Sequence, residues 1–174
     1  MTLVEFMVAT AIAGIVFVAV MAFSFYSARS IAAISNYVDL DNKSRTALDV
    51  MSKEIREATN VIACTGTGIT LGVAATNGNY SVTFQWFTDG TVQRIQGGNR
   101  RVLLTECDVM NFGMYKRNPT NPPSGELVLV TNTVPSLTKG VQMRWICSRA
   151  IFGQRVNTES VQSALVVLRS QQNL

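Results

Sequence analysis

The 174-residue sequence contains no histidine, and no proline precedes Pro119. Without an imidazole there is no Ser-His or Cys-His pair for nucleophilic catalysis, and no G-x-S-x-G elbow occurs. Three cysteines, none in a C-x-x-C pair, do not make a structural zinc set. Cys64-Thr65-Gly66-Thr67-Gly68 resembles a phosphate loop in composition only, because it follows a helical pattern instead of opening a helix after a strand. Asp39 and Asp41, two apart on a helix, point to different sides and form no metal pair. The chain is therefore expected to be no enzyme and to need no cofactor or metal. A proline-free stretch of this length permits one unbroken helix from near Met1 to about Asn60, roughly 90 Å long.

Positive charge is missing as well. No Lys or Arg precedes Arg29, and the run from Met1 to Ala28 is largely apolar. A secretory signal would begin with a basic flank, so that reading fails. The expectation is that a basic leader has been removed and that Met1 is a processed N-terminus. Phe6 to Tyr26 spans 21 residues, enough to cross a hydrocarbon core of about 30 Å. Within this apolar run stands one carboxylate, Glu5. A charge in hydrocarbon costs roughly 2.5–3.5 kcal/mol on insertion scales, so it needs a partner. The nearest cation is the α-amine of Met1, its own or a neighbouring copy's. A plain anchor helix explains the length of the run and leaves Glu5 unexplained. The aromatics Phe6, Phe17, Phe23, Phe25 and Tyr26 read as packing residues.

Met1-Thr2-Leu3-Val4-Glu5, followed by Phe6-Met7-Val8-Ala9 and a long apolar helix, resembles the mature N-terminus of the type IV pilin superfamily. That superfamily comprises type IV pilins, minor pilins and the pseudopilins of type II secretion. The resemblance is close over about the first 30 residues. It implies cleavage by a prepilin peptidase behind a leader Gly and N-methylation of residue 1, usually Phe and here Met1. It also implies assembly into a helical filament through Met1, Thr2, Leu3, Glu5 and Gly14, with Glu5 neutralising the N-terminal amine of another subunit. Leu3, Val8, Ile12, Ile15 and Val18 would exchange lipid for helix contacts, and Gly14 with the alanines at 9, 11, 13 and 19 would permit close approach. Gly14 costs about 1 kcal/mol relative to alanine in a helix. In the family this region can unwind on assembly, helped by a proline near position 22. Ala22 stands there instead, which leans toward minor pilins or secretion pseudopilins. Leu103-Leu104-Thr105-Glu106-Cys107 and Val161-Gln162 leading to Leu168-Arg169 look like the larger, J-type pseudopilins and their minor-pilin relatives. The implied partners are other pilin-like subunits, a prepilin peptidase, an inner-membrane assembly platform with its ATPase, and an outer-membrane secretin. The implied location is the bacterial inner membrane before assembly, then a periplasmic or extracellular filament.

The fold expected is α+β, a helical spine packed against a C-terminal antiparallel head. Residues 1–28 form its membrane or filament-core half, 29–62 its amphipathic half, and 63–174 the head. Ile31, Ile34, Val38, Leu48, Met51, Ile55 and Ile62 recur at spacings of one helical stripe, which the sheet should cover. Asp41–Arg45, Asp49–Lys53 and Lys53–Glu57 have the spacing of surface ion pairs. Gly66, Gly68 and Gly72 mark the exit from the helix. Tyr80–Thr88 and Thr91–Gln96 flank Asp89-Gly90, read as a two-residue hairpin with Phe84 facing Ile95 and Phe87 facing Val92. Further strands are expected over 102–104, 109–115, 127–131, 141–147 and 164–168, with an exposed loop over 118–125. Antiparallel pairing of 107–115 with 141–148 would set Cys107 opposite Cys147. A disulfide there, leaving Cys64 alone, stands beside the alternative of three reduced thiols.

Net charge is +4, with 15 basic and 11 acidic residues. After Asn60 ten basic residues stand against five acidic ones. Arg100-Arg101 and Lys116-Arg117 allow a second reading, a membrane-tethered module capturing DNA or another polyanion. A tethered enzyme comes third.

Overall fold

The structure, a computed structural model, describes residues 2–74, 78–118, 129–151 and 159–169. It is an α+β fold in which one long apolar helix precedes two antiparallel sheets and packs against them. Helix α1 runs Leu3–Glu57 without a break, about 80 Å at 1.5 Å per residue. It stops because Ala58 turns to extended backbone (φ −63°, ψ 138°) and Thr59 gives its N–H to Gly72 O at 2.8 Å. Thr59 also donates its hydroxyl to that carbonyl, so the chain leaves the helix by joining a sheet.

The first sheet is a meander of β1 (Asn60–Cys64), β2 (Gly68–Val73), β3 (Tyr80–Trp86), β4 (Val92–Gln96) and β5 (Asn99–Leu104) in sequential order. The second contains β6 (Cys107–Arg117), β7 (Leu129–Asn132), β8 (Gly140–Ser148) and β9 (Glu159–Val167), ordered β7-β6-β8-β9. α1 lies against β9, β5 and β8, so both sheets share its surface. Leu40, Ser44, Ala47, Met51 and Ile55 form the buried helical face, at spacings of three and four. Above them lie the fully buried Phe84, Leu104, Met143 and Trp145. Trp145 Nε1 donates to Ser44 Oγ at 3.3 Å, which satisfies an indole N–H otherwise shut off from water. Arg94 on β4 pairs with Glu54 of the helix at 2.5 Å, and both side chains are largely covered.

Several sequence expectations need correction. Strands β1 and β2 form where only a glycine-punctuated exit was expected. Gly68 and Gly72 lie inside β2, opposite Gln85 and Asn60, whose side chains cross the space a Cβ would occupy. Ile62 belongs to β1, not to the helical stripe. The hairpin is one residue out of the expected register: Phe84 faces Arg94, and Val92 faces Trp86. The cause is a three-residue loop, Thr88-Asp89-Gly90, in which Phe87 N–H donates to Thr91 O and Gly90 takes φ +79°. Asp89 fixes that loop by accepting from Thr91 N–H and Oγ1 at 2.9 and 2.7 Å. The Asp41–Arg45 pair is present at 2.8 Å, and Asp39–Lys43 joins it at 2.9 Å. Asp49, Lys53 and Glu57 make no ion pair among the described residues. The expected loop over 118–125 lies, beyond Asn118, outside the described residues.

The sheets do not cover the whole of the expected apolar stripe. The head covers the helix from Leu40 onward, whereas Ile31, Ile34 and Val38 remain 65%, 62% and 51% exposed. On a 100° wheel these three stand about 130° from the Leu40–Ser44–Met51 face, so a sheet seated on one cannot reach the other. Met51→Ala should therefore lower head stability by about 2–5 kcal/mol, a buried-cavity cost. Ile34→Ala should change it by less than about 0.5 kcal/mol. Chemical unfolding of the two variants, monitored by tryptophan fluorescence, checks the contrast.

Candidate functional site

The candidate site is the half of α1 that its own head leaves bare. Every residue from Thr2 to Tyr26 is exposed, including Leu3, Phe6, Phe17, Phe23 and Phe25. The helix is long and apolar enough to cross a membrane. Its small and branched residues leave a shallow groove of ≈ 610 Å³ lined by Ala9, Ile12, Ala13, Val16, Phe17 and Val20. A Cβ added at Gly14 would meet nothing within 4 Å, so this chain's own packing does not require a glycine there. Met1 lies outside the described residues.

Glu5 has a local partner that composition and depth did not reveal. Thr2 is the N-cap of α1 (φ −86°, ψ 153°) and Glu5 the third helical residue. Thr2 N–H donates to Glu5 Oε2 at 2.8 Å, and Glu5 N–H donates to Thr2 Oγ1 at 3.4 Å. This is a capping box, in which two of the helix's unpaired amides are satisfied reciprocally. The signal was legible as Thr-x-x-Glu before an apolar run. It gives Glu5 a structural role that needs no other chain. A carboxylate has about four acceptor positions and one of them is used here, so the charge is not neutralised by the cap.

The bare half meets the gripped half at a polar joint. Arg149, just past β8, pairs with Asp39 of the helix at 2.9 Å and with Glu106 of the β5–β6 turn at 2.6 Å. It also reaches Asn36 Oδ1 at 3.4 Å. Glu106 adopts φ +58°, left-handed backbone for a residue with a Cβ, and that turn aims its carboxylate at the guanidinium. Beside them Ser148 Oγ donates to Asp108 Oδ2. A sequence reading that looked for i,i+4 pairs had no way to find this joint, since Arg149 is 110 residues from Asp39.

The three cysteines are thiols here. Cys64 ends β1 and is half-buried, which pushes its thiol up from 9.0. Cys107 and Cys147 are buried register partners of β6 and β8. The basic residues are spread over both sheets, with Arg100 and Arg101 exposed on β5, Arg117 on β6 and Arg144 on β8. Arg94 and Arg149 are already engaged in ion pairs.

The joint has a pH signature. Lys43 first and Arg149 second hold the Asp39 carboxyl below its ordinary 3.8. A depressed carboxylate stabilises the fold above its unfolded pKa, and that contribution disappears as pH falls through the folded value. Solvent screens these exposed pairs and Lys43 remains beside Asp39, so Arg149→Ala should lower the thermal midpoint only slightly at neutral pH, with the gap to the parent narrowing as pH falls below about 4. Melting curves of both chains over that range check it. No family model, curated protein or solved structure matches the chain.

Proposed function

We propose that this chain is a structural subunit of a type IV pilus-like or pseudopilus filament, built through its N-terminal helix. The observation that carries the reading is an apolar helical half, bare from Leu3 to Tyr26, with Glu5 its one charged residue. Such a surface is stable in lipid or against other helices, and not in water. In lipid, Glu5 is the costly residue. In a filament, the N-terminal amine of a neighbouring Met1 meets it, and a paired charge bears desolvation that a lone one does not. Ile31, Ile34 and Val38 extend the bare surface beyond the span, where contact with neighbouring subunits removes them from water.

In this reading the subunit waits in the bacterial inner membrane with its head outside the cytoplasm. A prepilin peptidase processes and methylates Met1, and an assembly platform draws the subunit into a periplasmic or extracellular filament. The second reading, polyanion capture by a basic head, has less support: its cations lie on separate sheets and two of them are spent on internal pairs.

The capping box supplies a sharper test than removal of Glu5 alone. Glu5→Ala removes both charge and cap, whereas Glu5→Gln keeps an acceptor for Thr2 N–H and removes only the charge. Both variants should remain in the membrane, relieved of a charge costing roughly 2.5–3.5 kcal/mol. Both should fail to assemble, since breaking one side of a buried pair costs roughly 3–5 kcal/mol, two or more decades in each association constant. Filament yield and membrane content are measured together in each variant. Normal filaments from Glu5→Gln subunits would reduce Glu5 to a helix cap and overturn its pairing role.

A further inference from the structure

Cys107 and Cys147 occupy a particular kind of position in the second sheet. They are direct partners in the β6–β8 ladder, and each is 1% exposed. The neighbouring hydrogen bond runs from Ser148 N–H to Glu106 O at 3.0 Å. Cys107 N–H is directed away from β8, to Gly90 O at 2.8 Å. In an antiparallel ladder a bond from residue j+1 to residue i−1 marks the pair i, j as non-hydrogen-bonded. At such pairs the Cα atoms approach to about 4.5 Å and the side chains are closest. The register shifts by one residue just beyond, between Cys107 and Val109, and the spacing of a non-hydrogen-bonded pair lies within the roughly 4.4–6.8 Å between Cα atoms that disulfides take. Register alone had set the thiols opposite each other; the ladder phase is what makes them bridgeable.

The surroundings give a bridge here a definite effect. Trp86 Nε1 of β3 donates to Cys107 O at 2.9 Å, and Gly90 of the β3–β4 loop accepts from Cys107 N–H. Cys107 is thus hydrogen-bonded into the first sheet while it begins the second. One residue before it stands Glu106, and two residues after Cys147 stands Arg149, the two sides of the joint that holds Asp39. The pair lies where helix, first sheet and second sheet meet.

We propose that Cys107 and Cys147 are a modification site, joined as a disulfide by a protein or small-molecule disulfide oxidant while the head folds, locking this three-way junction. One cysteine, as thiolate, attacks the oxidant's disulfide and releases one of its sulfurs as a thiol. The second cysteine then attacks the mixed disulfide, the S–S bond of the protein forms, and the oxidant's other sulfur leaves. Two protons and two electrons leave the protein, and the oxidant's disulfide is reduced to two thiols. In the closed fold this exchange is blocked, because both groups are buried and no reagent reaches either sulfur. Oxidation therefore belongs to folding, and the finished bond is shielded from reductants. Cys64, at the end of β1, takes no part.

The inference does not depend on the filament reading and is tested without filaments. The full chain is reduced, denatured, and refolded in detergent with a mixture of oxidised and reduced glutathione. It is then denatured again without reductant, alkylated and mapped by mass spectrometry. The expected result is alkylation of Cys64 alone, with the peptides of Cys107 and Cys147 linked. The oxidised chain should melt on the order of 10 °C above its reduced form. The same map on Cys64→Ala should show the link unchanged. Alkylation of all three cysteines, glutathione held on Cys107 or Cys147, or a link involving Cys64 would overturn the proposal.

Discussion

The head depends on one contact face, the Leu40–Ser44–Ala47–Met51–Ile55 side of the spine, covered by two sheets at once. Neither sheet closes on itself, and neither is large enough to bury both its faces. The helix supplies the surface they share. Its residues there are graded in size, with the small Ser44 standing against the indole of Trp145. A larger side chain at Ser44 would meet the indole and remove its hydrogen-bond acceptor together. From this face outward the architecture follows: β5 and β9 are drawn to the helix, and the strands behind them add one neighbour at a time.

The division of the spine into a gripped half and a bare half is sharper than its hydrophobic pattern. Both halves carry apolar residues three and four apart, yet they differ in direction around the axis. Ile31, Ile34 and Val38 continue the side of the N-terminal groove, while Leu40 and Met51 turn to the head. One helix thus addresses two environments by angle as well as by position along its length. The polar residues Asn36, Asp39 and Asp41 stand at the change, each tied to the head by Arg149 or Gln162.

Much of the outline was legible in the chain. The absence of proline gave the length of the helix, and alternating β-branched and aromatic runs located seven of the strands. Glycine is ambiguous in a sequence: Gly68 and Gly72 have the spacing of a chain exit, yet they serve in a strand where the side chains of Gln85 and Asn60 cross the backbone. The hairpin failed on one residue because Asp-Gly serves two-residue and three-residue loops alike, and the choice rests on Thr91 reaching back to Asp89. Small residues hid the buried helical face: a search for Ile, Leu and Val passes over Ser44 and Ala47. Glu5 stands out in the sequence by its charge, and its second role is carried by the Thr-x-x-Glu spacing of the capping box. The Arg149 joint lay beyond sequence reading altogether, because its members meet only once the fold is complete.

The uninterrupted helix also has a mechanical consequence. Held by the head from about Asn36 to Ala58 and free from there to Leu3, it is a lever with a short clamped arm and a long loose one. The loose arm is roughly 50 Å, so a tilt of about 5° at the clamp moves Glu5 sideways by some 4–5 Å. With no proline to act as a hinge, that displacement has little place to dissipate short of Gly14. Whatever fixes the far end therefore constrains the orientation of the head closely, and the Arg149 joint is the fulcrum on which that torque acts.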